Sequence, residues 1–300
     1  MSRLEKPTDF SALLEKYAES PLIPRSAWNA DRERSISGPS RHDVIRERLS
    51  SHFRSTFHDR TRTYALRESE IFTLTEVGKF RVISTEDLNR FAYDGNKECL
   101  EQDVQSLKKQ GLILQREIEA QNSPKFQVLS LTKDGKQFLQ HQNRVPKSQA
   151  LYHGFLKPKE LAHDVELYRL YQKVASEIEH SGGTVHRVVL DYELKEKLYR
   201  DLNKMDSAKN PHQERERIAS RHDLKVVNGT IPIPDLRIEY ETDARRIEHL
   251  DLEFATREYR SQGMASKVQA GFHLFARNQD MPRLRRVLNQ QELTARIFTL

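Results

Sequence analysis

The stretch between residues 70 and 140 constrains the fold most, because its helix signals, caps and turns come in one fixed order. Leu74, Val77 and Phe80 are spaced for one face of a first helix. Ser84, with Asp87 three residues on, reads as an N-cap with an acid in capping-box position, and the helix it opens turns Leu88 and Phe91 to a core. Asp94-Gly95-Asn96 is a turn, and the next helix runs from about Lys97 to Lys109. Its apolar positions Leu100, Val104 and Leu107 form one stripe, and Gly111 follows as a C-cap. Two strand-like stretches, Leu112–Glu117 and Phe126–Leu131, are joined by the polar turn Ala120–Pro124. Thr132-Lys133-Asp134-Gly135 then caps a closing helix through Phe138 and Leu139.

The order of helix, helix, helix, hairpin and helix is the one a winged helix-turn-helix requires, and LTKDGKQFL resembles the segment after the wing in such domains. The third helix carries Lys97, Gln102, Gln105, Lys108 and Lys109 outside its apolar stripe. Such a face suits a major groove, with glutamine reaching base edges and lysine reaching phosphates. Duplex DNA is therefore the expected partner. A winged helix that binds protein is the other reading.

Composition agrees without deciding. Lys and Arg outnumber Asp and Glu by 50 to 44, a formal +6 that suits a polyanion. With a single cysteine, Cys99, neither an intrachain disulfide nor a cysteine-rich zinc site can form. The opening MSRLEKPTDF lacks an apolar segment, so no secretory leader is expected. No apolar run approaches the roughly 18 residues of a membrane span. The expected setting is the cytoplasm, with no membrane partner.

Four regions are expected. Residues 1–67 read as a basic extension, irregular in pattern. From Arg25 to Arg67 every lysine-or-arginine position is arginine, a composition that suits phosphate contacts, a partly disordered tail or a solvated helix near residues 41–55. Residues 68–142 form the winged-helix domain. Residues 143–159, with Pro146, Gly154 and Pro158, read as a linker, and residues 160–300 as a second domain. The charged stretch from Tyr192 to His222, broken at Asn210-Pro211, reads as a helical insertion, either solvated or a DNA clamp.

The second domain contains a candidate hairpin. Its first strand carries Pro234-Asp235-Leu236-Arg237-Ile238-Glu239, and its second carries His249-Leu250-Asp251-Leu252-Glu253-Phe254. Strand alternation puts Asp235, Arg237 and Glu239 on one face, and His249, Asp251 and Glu253 on one face of the partner. Pairing would bring Asp235 near Asp251 and Glu253. Three converging carboxylates repel unless a cation sits among them, and oxygen ligands suit Mg²⁺ or Mn²⁺. The plain alternative is a solvated polar face with Arg237 pairing a neighbour.

Pro234-Asp235 followed by Asp251-Leu252-Glu253 resembles the PD-(D/E)XK motif of the restriction-endonuclease-like fold. A winged helix, then a helix opening Leu161-Ala162-His163-Asp164, then these strands is similar to the replication-relaxation family of mobile-element proteins. That resemblance covers most of residues 70–275. It implies an α+β or α/β chain: a winged helix followed by a mixed-sheet nuclease-like domain. It further implies Asp235, Asp251 and Glu253 as catalytic metal ligands. The chain departs from the motif where Glu253 replaces lysine. Lys267, in a helix expected over Tyr259–Phe275, offers a substitute. Asp164, Glu166 and His249 are lesser candidates.

Two functions stay open. One is a metal-dependent endonuclease or relaxase that nicks or grips DNA in mobilisation or replication initiation, alongside other proteins of those processes. The other is a non-enzymatic regulator of transcription or replication, its nuclease-like domain inactive and serving as a homodimer contact.

Overall fold

The computed structural model describes residues 41–119, 125–155, 158–205, 210–290 and 295–300. The arginines before residue 41 and the turn Ala120–Pro124 lie outside them.

Within the expected extension, residues 41–66 form helix α1 (Arg41–Ser50), where a solvated helix was one of the readings, and, unforeseen, the antiparallel hairpin β1 (Ser55–Asp59) and β2 (Arg62–Leu66). The hairpin holds because alternate residues Tyr64 and Leu66 are buried. The rings of Tyr64 and Phe57 meet Phe138 edge-on, with centroids 5.5 and 5.6 Å away.

Next come α2 (Glu68–Lys79), β3 (Ile83–Ser84), α3 (Thr85–Ala92), α4 (Lys97–Lys109), β4 (Ile113–Ile118), β5 (Phe126–Leu131) and α5 (Lys133–His141). The three strands form an antiparallel sheet in the order β3-β5-β4. This is the element order expected for the region, with one short strand added before α3. The caps sit where the sequence puts them: the hydroxyl of Ser84 accepts from the Asp87 N–H at 3.0 Å and that of Thr132 from the Gly135 N–H at 2.9 Å. Leu100, Val104 and Leu107 of α4 are buried, each apolar side chain adding about 1.5–3 kcal/mol on burial. Glycine is required at position 135, since a Cβ there would lie 2.1 Å from the Leu112 carbonyl oxygen.

The expected linker is bound rather than free. The Tyr152 N–H donates to the Gly78 carbonyl at 2.8 Å, and the Gly154 N–H to that of Leu131 at 2.9 Å. The buried Gln149 side chain mimics a strand neighbour of Val188, accepting from its N–H at 3.0 Å and donating to its carbonyl at 2.9 Å.

The second unit contains α6 (Pro158–His180), β6 (Thr184–Leu190), α7 (Asp191–Leu202), α8 (Pro211–Arg221), β7 (Leu236–Glu241), β8 (Ile247–Phe254), α9 (Ser261–Ala270), β9 (His273–Ala276), α10 (Met281–Gln290) and β10 (Ile297–Thr299). Its five-stranded sheet has the order β10-β9-β8-β7-β6, antiparallel from β6 to β8 and parallel from β8 to β10. The chain is therefore a mixed α+β protein. The helix expected over Tyr259–Phe275 is shorter: Gly271, at φ 94°, takes the left-handed conformation that ends α9, and β9 begins two residues later.

Helix α6 joins the two units. Tyr168 packs on Phe80 with ring centroids 5.1 Å apart, and Arg169 pairs with Asp87 at 2.7 Å. Leu161 and Val165 share a buried cluster with Val82, Ile118 and Val128. Among the described residues no helix is long and apolar enough to cross a membrane.

Candidate functional site

Two places in the fold carry the residues singled out by the sequence. The first is α4. Lys97, Gln102, Gln105, Lys108 and Lys109 are all exposed, as the apolar stripe requires. Gln102, Gln105 and Lys109, with Gln115 of β4, line an open groove of about 790 Å³. Lys108 donates to Gln115 at 2.7 Å, and Lys97 pairs loosely with Glu101 at 3.6 Å. The inner side of α4 is pinned by Asp103, fully buried, which pairs with Arg67 and accepts from the Tyr93 hydroxyl at 2.8 Å. Arg54, from the segment before β1, reaches Glu70 at 2.7 Å and Ser106, a further groove residue, at 3.2 Å. The helix is thus held rigidly with its polar-basic side to solvent.

The second place is the hairpin β7–β8. Leu236 lies opposite Leu252 and Arg237 opposite Asp251, so Asp235 falls beside Glu253 at the end of the ladder. The Asp235 N–H donates to Glu253 at 3.2 Å, and the Phe254 N–H donates to Asp235 at 3.0 Å. Lys267 of α9 donates to Glu253 at 2.8 Å and to the Ile233 carbonyl. Asp235, Glu253 and Lys267 therefore come together.

Asp251 does not join them. Arg237, itself buried, donates to both of its oxygens at 2.6 and 2.8 Å, and to the carbonyls of His222 and Asp223 at 2.8 and 3.0 Å. The expectation of Asp251 as a metal ligand is corrected on that ground. A guanidinium lies directly across the ladder, and a bidentate pair consumes both oxygens. His249 stands 3.9 Å from Asp251 and on that side of the hairpin.

Two partners were not anticipated. Tyr259 donates its hydroxyl to Glu253, and His163 of α6 lies 3.3 Å from Asp235 through Nε2. His163 also faces Asp164 through Nδ1 at 4.0 Å, and Asp164 faces Arg81 at 3.7 Å. Arg81 sits between α2 and β3 in the left-handed region at φ 56°, its guanidinium over the Tyr192 ring. Among the described residues, Arg81 Nη1 and Asp164 Oδ2 are buried without a hydrogen-bond partner. A chain of charges thus runs from the first unit to the sheet: Arg81, Asp164, His163, Asp235. Glu166, the other helix acid, pairs instead with Arg169 and Arg277 at 3.2 and 2.5 Å.

These contacts set the protonation states. Burial opposes the His163 charge, but the neighbouring carboxylates of Asp164 and Asp235 outweigh it and push its pKa up to about 10. Burial likewise works against Asp235, yet His163, Lys267 and the Phe254 N–H hold it below the usual carboxylate range. Glu253 goes the other way, to about 7, because burial and the neighbouring Asp235 charge prevail over Lys267 and Tyr259.

The expected Mg²⁺ or Mn²⁺ can be weighed against this donor set. Three carboxylates are matched by Arg237, Lys267 and His163, and the oxygens of Asp251 and Glu253 already accept several donors. Among the described residues no three His, Cys, Asp or Glu side chains are placed to hold a metal ion. A divalent ion needs free oxygens and net negative charge, so this arrangement does not fit one.

No family model and no curated protein matches the chain. Among solved structures, Bacillus subtilis PadR in complex with operator DNA is similar at 13% identity over 51% of this chain and 93% of that one, with a TM-score of 0.22. A TM-score of 0.22 is too low to carry an argument about fold or function.

Proposed function

We propose that the protein binds duplex DNA, with residues 68–142 acting as a winged helix, α4 entering the major groove and the sheet unit serving as its rigid, non-cleaving support. The observation that carries this reading is the outer face of α4. Two glutamines and three lysines are exposed there, together with Glu98 and Glu101; Gln102, Gln105 and Lys109 line an open groove, and the helix's inner side is locked by a buried ion pair. Glutamines so placed can read base edges, at about 1–3 kcal/mol per good contact, and lysines can neutralise phosphates. Electrophoretic retardation of random and selected duplexes tests it. Gln105→Ala is expected to relax sequence preference, and Lys108→Ala with Lys109→Ala to weaken all duplexes. Absence of retardation at moderate salt would turn the reading toward a protein partner.

A second reading, phosphodiester cleavage in mobilisation or replication of a mobile element, is favoured by the meeting of Asp235, Glu253 and Lys267. It requires Glu253 to release its lysine and tyrosine partners. Incubating supercoiled plasmid with Mg²⁺ or Mn²⁺ decides it. Nicking lost in Asp235→Asn supports cleavage, and intact plasmid removes it.

A further inference from the structure

We propose that α10 and the loop ahead of α9 form a second nucleic-acid contact, an arginine strip that grips the phosphate backbone, separate from α4 and beside the Asp235–Glu253 cluster. The proposal rests on duplex DNA being the partner, and adds a surface that the α4 reading does not require.

Between residues 257 and 290 there are seven lysines and arginines but two acids, Glu258 and Asp280. Helix α10 contains no acid at all. Its inner side is fixed by buried Met281, Leu284 and Leu288, and Arg283, Arg285 and Arg286 are exposed. At 100° per residue those three arginines fan across the half of the helix facing away from the core. Arg257 and Arg260 are exposed on the loop before α9, with Arg257 paired to the equally exposed Glu258 at 3.4 Å. Tyr259, between them, donates to Glu253 and packs in one cluster with Met281 and Leu284. Loop and helix therefore form one surface, bordering the carboxylate site.

The pairing pattern distinguishes this surface from the other charged helices. On α7, Lys195 pairs with Asp191, Lys197 with Glu193 and Arg200 with Glu196; on α8, Arg217 pairs with Glu214 and Arg221 with Asp201. Along the described residues between Tyr192 and His222 these cations are thus already matched by acids, which makes a poor clamp. The side chains of Arg260, Arg283, Arg285 and Arg286 have no ion pair or hydrogen bond among the described residues. Like charges crowded on one helical turn repel, and a polyanion relieves that repulsion. Guanidinium forks match phosphate oxygens in geometry as well as charge. The exposed positions between the arginines are Pro282, Asn289 and Gln290, so the face lacks the apolar anchor that a protein interface builds on.

The test uses the full chain, a fluorescent duplex carrying a selected site, and affinity measured across a salt series. Arg283→Gln, Arg285→Gln and Arg286→Gln together are expected to reduce the slope of log affinity against log salt by about 2–3, at about 0.9 per phosphate contact. Sequence preference should stay as in wild type, and the corresponding lysine triple should keep the slope. An unchanged slope overturns the strip. Unchanged slope with weakened binding to poly-glutamate assigns the surface to an acidic protein, which also overturns it. Lys108→Ala with Lys109→Ala, run in parallel, separates the two readings. If that pair alone weakens binding, the strip fails and the α4 reading stands; if the wild-type chain binds no duplex, the α4 reading itself has failed. A wild-type hydroxyl-radical footprint gives a measure free of any variant. Backbone protection beyond the α4 site supports the strip, and protection confined to that site overturns it.

Discussion

Arg237→Met would leave Asp251 as a largely buried carboxylate without a counter-charge, and the carbonyls of His222 and Asp223 without their donor. Removing one member of a buried ion pair costs about 3–5 kcal/mol, and each stranded carbonyl about 1–3 kcal/mol if it stays dry. These losses overlap, since the loop after α8 can shift toward water, so about 4 kcal/mol is expected. Asp251→Leu should cost less, about 3 kcal/mol, because Arg237 keeps its two carbonyls. The double variant removes both charges but leaves the two carbonyls without their donor, so it should cost about 4 kcal/mol, no more than Arg237→Met alone, a coupling of about 3 kcal/mol. Urea denaturation of the four chains forms the cycle, and the thermal midpoint of Arg237→Met should fall by roughly 8–16 °C, at about 2–4 °C per kcal/mol. Single variants within about 1 kcal/mol of wild type would refute the reasoning, and would return Asp251 to the list of acids free for chemistry. The corollary is practical: an Asp251→Ala variant reports on folding before it reports on cleavage.

The protonation states give a second prediction. His163, raised from 6.5 to about 10, contributes stability in full below 6.5 and loses it as pH rises toward 10. Its side chain is 36% exposed, and solvent screening limits the gain to about 1–2 kcal/mol. Glu253, raised from 4.5 to about 7, holds a proton in the folded state that the unfolded chain releases, so stability also falls with rising pH across 4.5–7. The urea midpoint should therefore decline over both ranges, with His163→Gln flattening the upper limb and Glu253→Gln the lower; a flat wild-type profile would contradict both assignments. Tyr93→Phe removes the donor to Asp103 at 2.8 Å and a 2.6 Å partner of Thr73, and should cost about 1–3 kcal/mol in chemical denaturation. Gly135→Ala forces a methyl against the Leu112 carbonyl and should destabilise by more than about 2 kcal/mol, and a neutral result would mean that α5 shifts freely.

What the sequence disclosed was what is encoded locally. Ser84 and Thr132 announce their helices because a cap lies three residues from the N–H it satisfies. The stripe of Leu100, Val104 and Leu107 needs only helical periodicity to reveal the opposite, polar face. Alternation correctly put Asp235 and Glu253 on facing positions, and an Arg237 pairing with some neighbour was the plain alternative, though which neighbour was not specified. Contacts made across long separations were hidden. The hairpin of residues 55–66 is held by Phe138, some seventy residues on, and Gln149 imitates a strand next to Val188. His163 reaches Asp235 from another helix, and no spacing rule links them. The helix over Tyr259–Phe275 was overrun because glycine costs a helix only about 1 kcal/mol, so Gly271 alone does not announce a stop.

The Gln149 staple has a consequence for how any partner is met. A tether of that length, left loose, would let the two units sample many spacings and orientations. Fastened to Val188, Gly78 and Leu131, it turns them into one body with a fixed offset between α4 and the β7–β8 end. On the proposal that α4 contacts a duplex, the chain then behaves as a ruler: the sheet unit arrives at a set distance and helical phase from that contact. Cutting the staple, as in Gln149→Ala, would blur that distance before it weakened the grip.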